Sequence, residues 1–433
     1  MTAAPAHPVT TRGRLSWAVF DVANSAYPTV IATFVFAAYF TQGIAEDPVR
    51  GTEVWGYAMS ISGLMLALTA PVLGAIADHW GPRKPWIGAF TVLCVALTAS
   101  LWFAEPRPEF VIYALVLVAL SNYAFEAGTV FYNAMLPDLV AEDRLGRWSG
   151  WSWAMGYGGG LVCLALALVV LVQADPPPFG LDKDQAEHLR ATTLLVALWF
   201  GVFCLPLFLF TPDTKRSGMG LAEASLRGLA TLKHTFSHLR HYRDIAWFLL
   251  ARMIYTDGLN TLFAFGGIFA AGTFGFTFEE LILFAIAINV TAGLGAFGFG
   301  WLDDRLGSKP TILLALGGLC VLGGLLLVLE GKMAFWAVGV PLGLFMGPAQ
   351  AASRSHMARI APDHLRAEMF GLYAFSGKAT AFMGPALVGA ATAAFDSQRL
   401  GMATILIFLV AGALLLHFTV PAIKAGSKQE SPP

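Results

Sequence analysis

The chain has 433 residues, 57% of them hydrophobic and only 13% charged, against ~25% charged in an ordinary soluble domain. Its 27 basic residues face 28 acidic ones, without the basic excess of a nucleic-acid binder. This composition excludes a water-soluble globule and places the chain in lipid.

The N-terminus is polar up to Arg14, and the first apolar run is too long, and lacks a small-residue cleavage site, for a removable signal peptide. Apolar runs fall at 16–42, 54–77, 86–104, 110–136, 150–173 and 191–211, then at 245–271, 279–302, 310–329, 333–352, 369–394 and 400–422. Each is near or above the roughly 20 residues a helix needs to cross a bilayer. Backbone groups in lipid must be satisfied within the segment, so each run is expected to be a helix. The pattern predicts an all-α integral membrane protein of twelve spans: a six-helix bundle over 1–211, a cytoplasmic linker over 212–244, and a second bundle with a short tail over 245–433.

With the N-terminus inside, 19 basic residues fall on the cytoplasmic side and 6 outside, with Arg252 and Lys378 left within spans. Arg354, Arg359 and Arg366 are counted among the cytoplasmic loops. The positive-inside rule then puts both termini in the cytoplasm, and a bacterial inner membrane is the expected location. The linker repeats Leu226, Leu229 and Leu232 on one helical face, with Arg227 and Lys233 on the other, as in a helix lying on a membrane surface. Its His234, His238 and His241 lack the Cys or carboxylate that would complete a metal site. The four cysteines stand singly in apolar runs and read as core residues.

The chain repeats itself. Asp21-Val22-Ala23-Asn24-Ser25 in the first span recurs 236 residues on as Asp257-Gly258-Leu259-Asn260-Thr261. Gly74-x-x-x-Asp78-x-x-Gly81-x-Arg83 after span two recurs after span eight as Gly300-x-x-x-Asp304-x-x-Gly307-x-Lys309, shifted by 226. Pro137-Asp138 with Gly146 recurs as Pro362-Asp363 with Gly371, shifted by 225. Parallel duplication of six-helix halves is a transporter design.

The loop between spans two and three, continued by Lys84, resembles the signature loop of the major facilitator superfamily. Trp17 to Tyr39, Gly146-Arg147-Trp148-Ser149-Gly150, Ser353-Arg354-Ser355 and Gly371-Leu372-Tyr373 through Gly384-Pro385 resemble its vacuole-effluxer-like branch, known from fungal autophagy. Val22 departs from that branch, where Trp more often follows the Asp. The resemblance implies a secondary transporter, with amino-acid release the activity associated with fungal members. It also implies that Asp78, Arg83 and Lys84, with Asp304 and Lys309, form a charged latch at the cytoplasmic gate. The alternative is that Asp78 caps a helix while Arg83 and Lys84 set topology.

Asp21, Glu126, Arg252, Asp257 and Lys378 lie within spans, where one charge costs roughly 2.5–3.5 kcal/mol near a helix centre. They are expected to face a wet cavity or to pair. Three acids against two bases leave a charge of −1, which suggests a carboxyl that takes up a proton. A zwitterion would set its ammonium toward Asp21 and Glu126 and its carboxylate toward Arg252 and Lys378. The competing reading makes Asp21–Arg252 or Glu126–Lys378 structural ion pairs. Asn24, Asn260 and Tyr255 would add neutral hydrogen bonds, as substrate contacts or as interhelical glue.

These features predict a proton-linked secondary transporter of a small polar solute, working as a monomer by rocking of its halves. The alternatives are an exporter of drugs or other metabolites, and a non-transporting sensor or scaffold. No H-E-x-x-H or other catalytic cluster argues for an enzyme, and no G-x-x-x-x-G-K-[ST] loop argues for ATP drive. No cofactor is expected beyond a proton gradient, and no partner beyond the solute and the bilayer.

Overall fold

The computed structural model describes residues 9–238 and 242–421; Arg240, His241, Lys424 and Lys428 lie outside the described residues. Within them the protein is helical, without a strand. The first unit comprises α1 (Thr11–Ile44), α2 (Pro48–Trp80), α3 (Lys84–Phe103), α4 (Pro108–Leu139), α5 (Glu142–Val172) and α6 (Glu187–Phe210). A linker helix, α7 (Leu221–Ser237), follows. The second unit comprises α8 (Arg243–Phe274), α9 (Glu279–Leu306), α10 (Ser308–Val328), α11 (Lys332–Ile360), α12 (Arg366–Lys378), α13 (Met383–Phe395) and α14 (Gln398–Thr419).

Ten of these helices are long and apolar enough to cross a membrane. The other two passages are the ones that carry the second unit's predicted intramembrane charges. α8 is long enough at 32 residues, but Arg252, Asp257 and Asn260 lower its hydropathy. α12 and α13, with 13 residues each, form a single passage broken at 379–382. The break precedes Pro385, which sits in the first turn of α13, where a missing N–H costs nothing. Pro28 opens a π-helical stretch, Tyr27–Phe34, that α1 absorbs without interruption.

The duplicated loops have a common geometry. α2 ends at Gly81 with φ 107° and α9 at Gly307 with φ 93°, conformations that a side chain would strain. Thr277 and Glu280 close a capping box at the start of α9, and Asp47 accepts from the Arg50 amide at the start of α2.

The two units meet where helices carry glycine. A methyl group on Gly74 in α2 would collide with the Ala367 carbonyl of α12, and one on Gly371 with the Ala70 carbonyl of α2. Likewise a methyl group on Gly150 in α5 would strike the Ala296 carbonyl of α9. Both cross-unit contacts lie toward the face that carries the two chain ends, termed the terminus face below.

One sequence expectation needs correction. The span predicted to end at 352 continues as α11 to Ile360, so Arg354 and Arg359 are helical, with side chains 3% and 1% exposed, and are not loop residues. In the linker helix, Leu226 and Leu229 are exposed and Leu232 is buried. α7 packs on the end of α2, with the Thr231 hydroxyl 2.7 Å from His79 Nε2.

Candidate functional site

A cavity of about 1780 Å³ lies between the two units. It runs from Ser25, Glu126, Asn260 and Lys378 at mid-membrane to Gln42, Gln173 and Gln398 at the face opposite the termini. Its walls are largely apolar and aromatic, among them Phe125, Trp153, Tyr157, Phe269 and Phe284. At its depth Lys378 Nζ lies 2.7 Å from Glu126 Oε1, an ion pair joining second unit to first, with both side chains partly solvated. The broken passage positions Lys378 as the last residue of α12, where the helix dipole favours a cation. Its stem passes Gly63 of α2, where a methyl group would make only ordinary contact, 3.9 Å from Lys378 Cδ.

Beneath the cavity, toward the terminus face, Arg354 of α11 is inserted into the first unit. Its Nη1 donates to Asp21 Oδ2 at 3.2 Å and Asn133 Oδ1 at 3.3 Å. Its Nε donates to Ser149 Oγ at 2.9 Å, and its Nη2 to Ser149 O at 2.7 Å and Ser152 Oγ at 2.5 Å. The rings of Trp17, Tyr132 and Trp153 surround the guanidinium at 5.4–5.9 Å. Only a planar, five-donor cation satisfies so many acceptors in a buried space.

The terminus face is sealed by a duplicated arrangement. Asp78, at the end of α2, accepts the backbone amides of Ala367 and Glu368 at 2.9 and 2.8 Å, in the first turn of α12. Asp304, at the end of α9, accepts those of Gly146 and Arg147 at 2.8 and 3.2 Å near the start of α5, and also Arg147 Nε at 2.6 Å. Each acid therefore caps a helix of the opposite unit, where unpaired amides and the dipole favour a carboxylate. Of the readings weighed from sequence for Asp78, the helix cap is what the contacts describe, and it spans the two units. Asp138 bridges Arg83 of its own unit and Arg366 of the other, and Arg359 Nη1 meets Asp303 at 2.6 Å. Burial lowers the Arg83 pKa, against the pull of Asp78 and Asp213. Lys84 and Lys309 stay within their own neighbourhoods. The first bonds Asp213 Oδ2 through its amide and the Phe208 carbonyl through Nζ; the second bonds the His417 carbonyl at 2.8 Å.

Residues 49–430 match the family described as vacuole effluxer Atg22 like. The chain belongs to that family. Among relatives, an uncharacterized MFS-type transporter, YxiO, of Bacillus subtilis (strain 168) is 27% identical over 94% of this chain and 95% of its own length. Autophagy-related protein 22 of Coccidioides immitis (strain RS) is 24% identical over 83% of this chain and 71% of its own. Among solved structures, the proton:xylose symporter XylE superposes with TM-score 0.74 at 14% identity, over 97% of this chain and 98% of its own. A bacterial homologue of the iron transporter ferroportin, outward-facing, superposes with TM-score 0.66 at 15% identity, over 94% and 98%. Those likenesses identify the major facilitator fold, and the family identifies an integral membrane transporter.

The predicted site residues divide. Glu126, Lys378 and Asn260 line the cavity. Asp21 lies beneath it, with Arg354. Asn24 is buried, with the Ser25 hydroxyl 3.5 Å from its Oδ1. Arg252 donates to the Tyr373 carbonyl at 2.6 Å and Ser376 Oγ at 2.7 Å, and lies over the Tyr373 ring. Tyr255 is buried, its hydroxyl 2.7 Å from that of Ser353. Asp257 is buried with its Oδ1 3.3 Å from the Gly384 amide. Of the two ion pairs weighed from sequence, Glu126–Lys378 forms, whereas the base at Asp21 is Arg354 and not Arg252. Adding Arg354 to the intramembrane set gives three acids and three bases, so the surplus of −1 disappears. The reading missed Arg354 because polar residues around it ended the apolar run, although Ser353-Arg354-Ser355 was already a family-like motif.

Proposed function

We propose that this Atg22-like protein is a proton-coupled secondary transporter of small zwitterions, amino acids being the chemical class. The supporting observation is the Glu126–Lys378 pair, an acid from one unit and a base from the other meeting at 2.7 Å at the bottom of the cavity. A zwitterion entering between them exchanges one ion pair for two, its ammonium on Glu126 and its carboxylate on Lys378, with the Asn260 amide beside them. The two charges then no longer need each other, and the units are free to part.

In this reading 1–211 and 245–433 rock about the substrate on the tether 212–244. The terminus face is cytoplasmic, and the state described is open to the exterior. Opening inward requires Arg354 to leave Asp21, and Asp78 and Asp304 to release their amides. Arg83 steadies Asp78 and Asp138, while Lys84 and Lys309 brace the ends of their own bundles. A bacterial inner membrane is the corresponding location, with the monomer as the working unit.

The largely apolar walls favour a second reading, an exporter of lipophilic solutes. Purified protein in liposomes separates the two. Exchange of a labelled mixture of common amino acids, lost in Glu126→Gln and Lys378→Met, supports the first. Efflux of lipophilic cations without amino-acid exchange would replace it with the second.

A further inference from the structure

The duplicated D-x-x-N-[S/T] motif is chemically unequal in the fold. Asp21 shares its charge with Arg354 at 3.2 Å. Asp257, its counterpart in α8, is 2% exposed and makes no ion pair among the described residues. Its Oδ1 accepts the Gly384 amide at 3.3 Å, and its Oδ2 has no hydrogen-bond partner.

Four cations on the packed elements are engaged elsewhere, while Glu368, on α12, is a second buried acid and His356, on α11, a buried imidazole. Arg252, on the same helix, is held by Tyr373 and Ser376. On α12, Lys378 is paired with Glu126; on α11, Arg354 is paired with Asp21, and the Tyr255 hydroxyl meets Ser353. α14 presents Ile405, Phe408 and Leu409 beside Gly258, while its Arg399 binds the Leu327 and Leu329 carbonyls. α13 offers the Gly384 amide and the positive end of its dipole, which serve one oxygen. Thr380, in the helix break, stands within hydrogen-bonding reach of the carboxyl.

An ionised carboxylate with no countercharge, deep in a membrane bundle, is expensive, and a bound proton removes that cost. Asn260, three residues and so about 4.5 Å along the helix axis from Asp257, lines the cavity, which is the nearest source of a proton along α8.

We propose that Asp257 is the proton-binding site of this protein. In the state described it is a neutral carboxylic acid, formed from carboxylate and one proton taken from the cavity, and it returns that proton on the other face. Asp21 serves as the anchor for Arg354. The protonation stands independently; its part in transport rests on the proton-coupled reading above.

Infrared difference spectra of the purified full-length protein between acidic and neutral pH test the protonation without a substrate. A carboxylic acid C=O band, shifted down in heavy water as its proton exchanges, is expected in the wild type and in Asp21→Asn. It is expected to vanish in Asp257→Asn and to return, shifted, in Asp257→Glu. Absence of the band from the wild type, or its survival in Asp257→Asn, overturns the proposal. In liposomes with a labelled amino-acid mixture, one coupled proton supports about tenfold accumulation per pH unit. The ratio of accumulation to counterflow is expected to fall by that factor in Asp257→Asn and to recover in Asp257→Glu. A ratio that Asp257→Asn leaves intact, or one set by a sodium gradient alone, also overturns it. Failure of the wild type to exchange any amino acid sinks the substrate reading, and the infrared band then decides the protonation.

Discussion

The guanidinium of Arg354, carried by the second unit, lies 3.2 Å from the Asp21 carboxylate of the first and satisfies five acceptors there. A buried cation so fully bonded to the opposite unit joins the two bundles as a peg joins two boards. Arg354→Ala removes the peg and leaves Asp21 buried without a base, an expected loss of about 3–5 kcal/mol. Thermal unfolding in detergent measures it. Arg354→Lys keeps the charge but not the fork, so it is expected to fall between wild type and Arg354→Ala. Equal melting of all three proteins would contradict the assignment.

The caps on the terminus face are copies, and they should fail alike. Asp78→Ala leaves the amides of Ala367 and Glu368 unmet, and Asp304→Ala leaves those of Gly146 and Arg147. Each change is expected to cost about 1–3 kcal/mol. Spin labels on the exposed residues Arg144 and Arg305 report the result as a longer distance between units. If one variant widens that distance and the other does not, the two contacts are not equivalent.

Gly74→Leu tests closure by bulk instead of charge. The new side chain meets the Ala367 carbonyl across the interface, so α2 and α12 cannot approach as they do in the wild type. The terminus face is expected to stay ajar, with added cysteines near Asp78 becoming reactive to water-soluble thiol reagents. Protection equal to that of wild type would show that the contact has slack.

Exchanging the partners of the cavity pair separates substrate binding from packing. Glu126→Gln and Lys378→Met are expected to abolish stabilisation by amino acids, which at a hundred times Kd amounts to about 2.7 kcal/mol. The double exchange Glu126→Lys with Lys378→Glu restores the pair and is expected to recover part of that stabilisation. Binding undiminished in both single variants would move the substrate elsewhere in the cavity.

Much of the molecule was legible in residue order. Lipid tolerates few polar groups, so hydropathy alone located the passages, and duplicated glycines and aspartates disclosed two related units. Asp78 and Asp304 stood out because a repeat preserved them; the identity of their partners did not, since a carboxylate that binds backbone amides leaves no matching side chain to find. Arg354 and Arg359 were misassigned for a related reason. Local hydropathy cannot distinguish a cation in a loop from one buried among acceptors supplied by distant helices. The same blindness grouped Asp257 and Arg252, five residues apart, with the cavity that, of the α8 candidates, only Asn260 lines.

The contacts described across the terminus face lie together at one end of the bundle, and the proposed rocking cycle must undo all of them together. Tightness and speed are then opposed properties of one set of bonds. A variant loosened at Asp78 or Arg354 would turn over faster until both faces stood open at once, whereupon it would conduct its gradient as a leak.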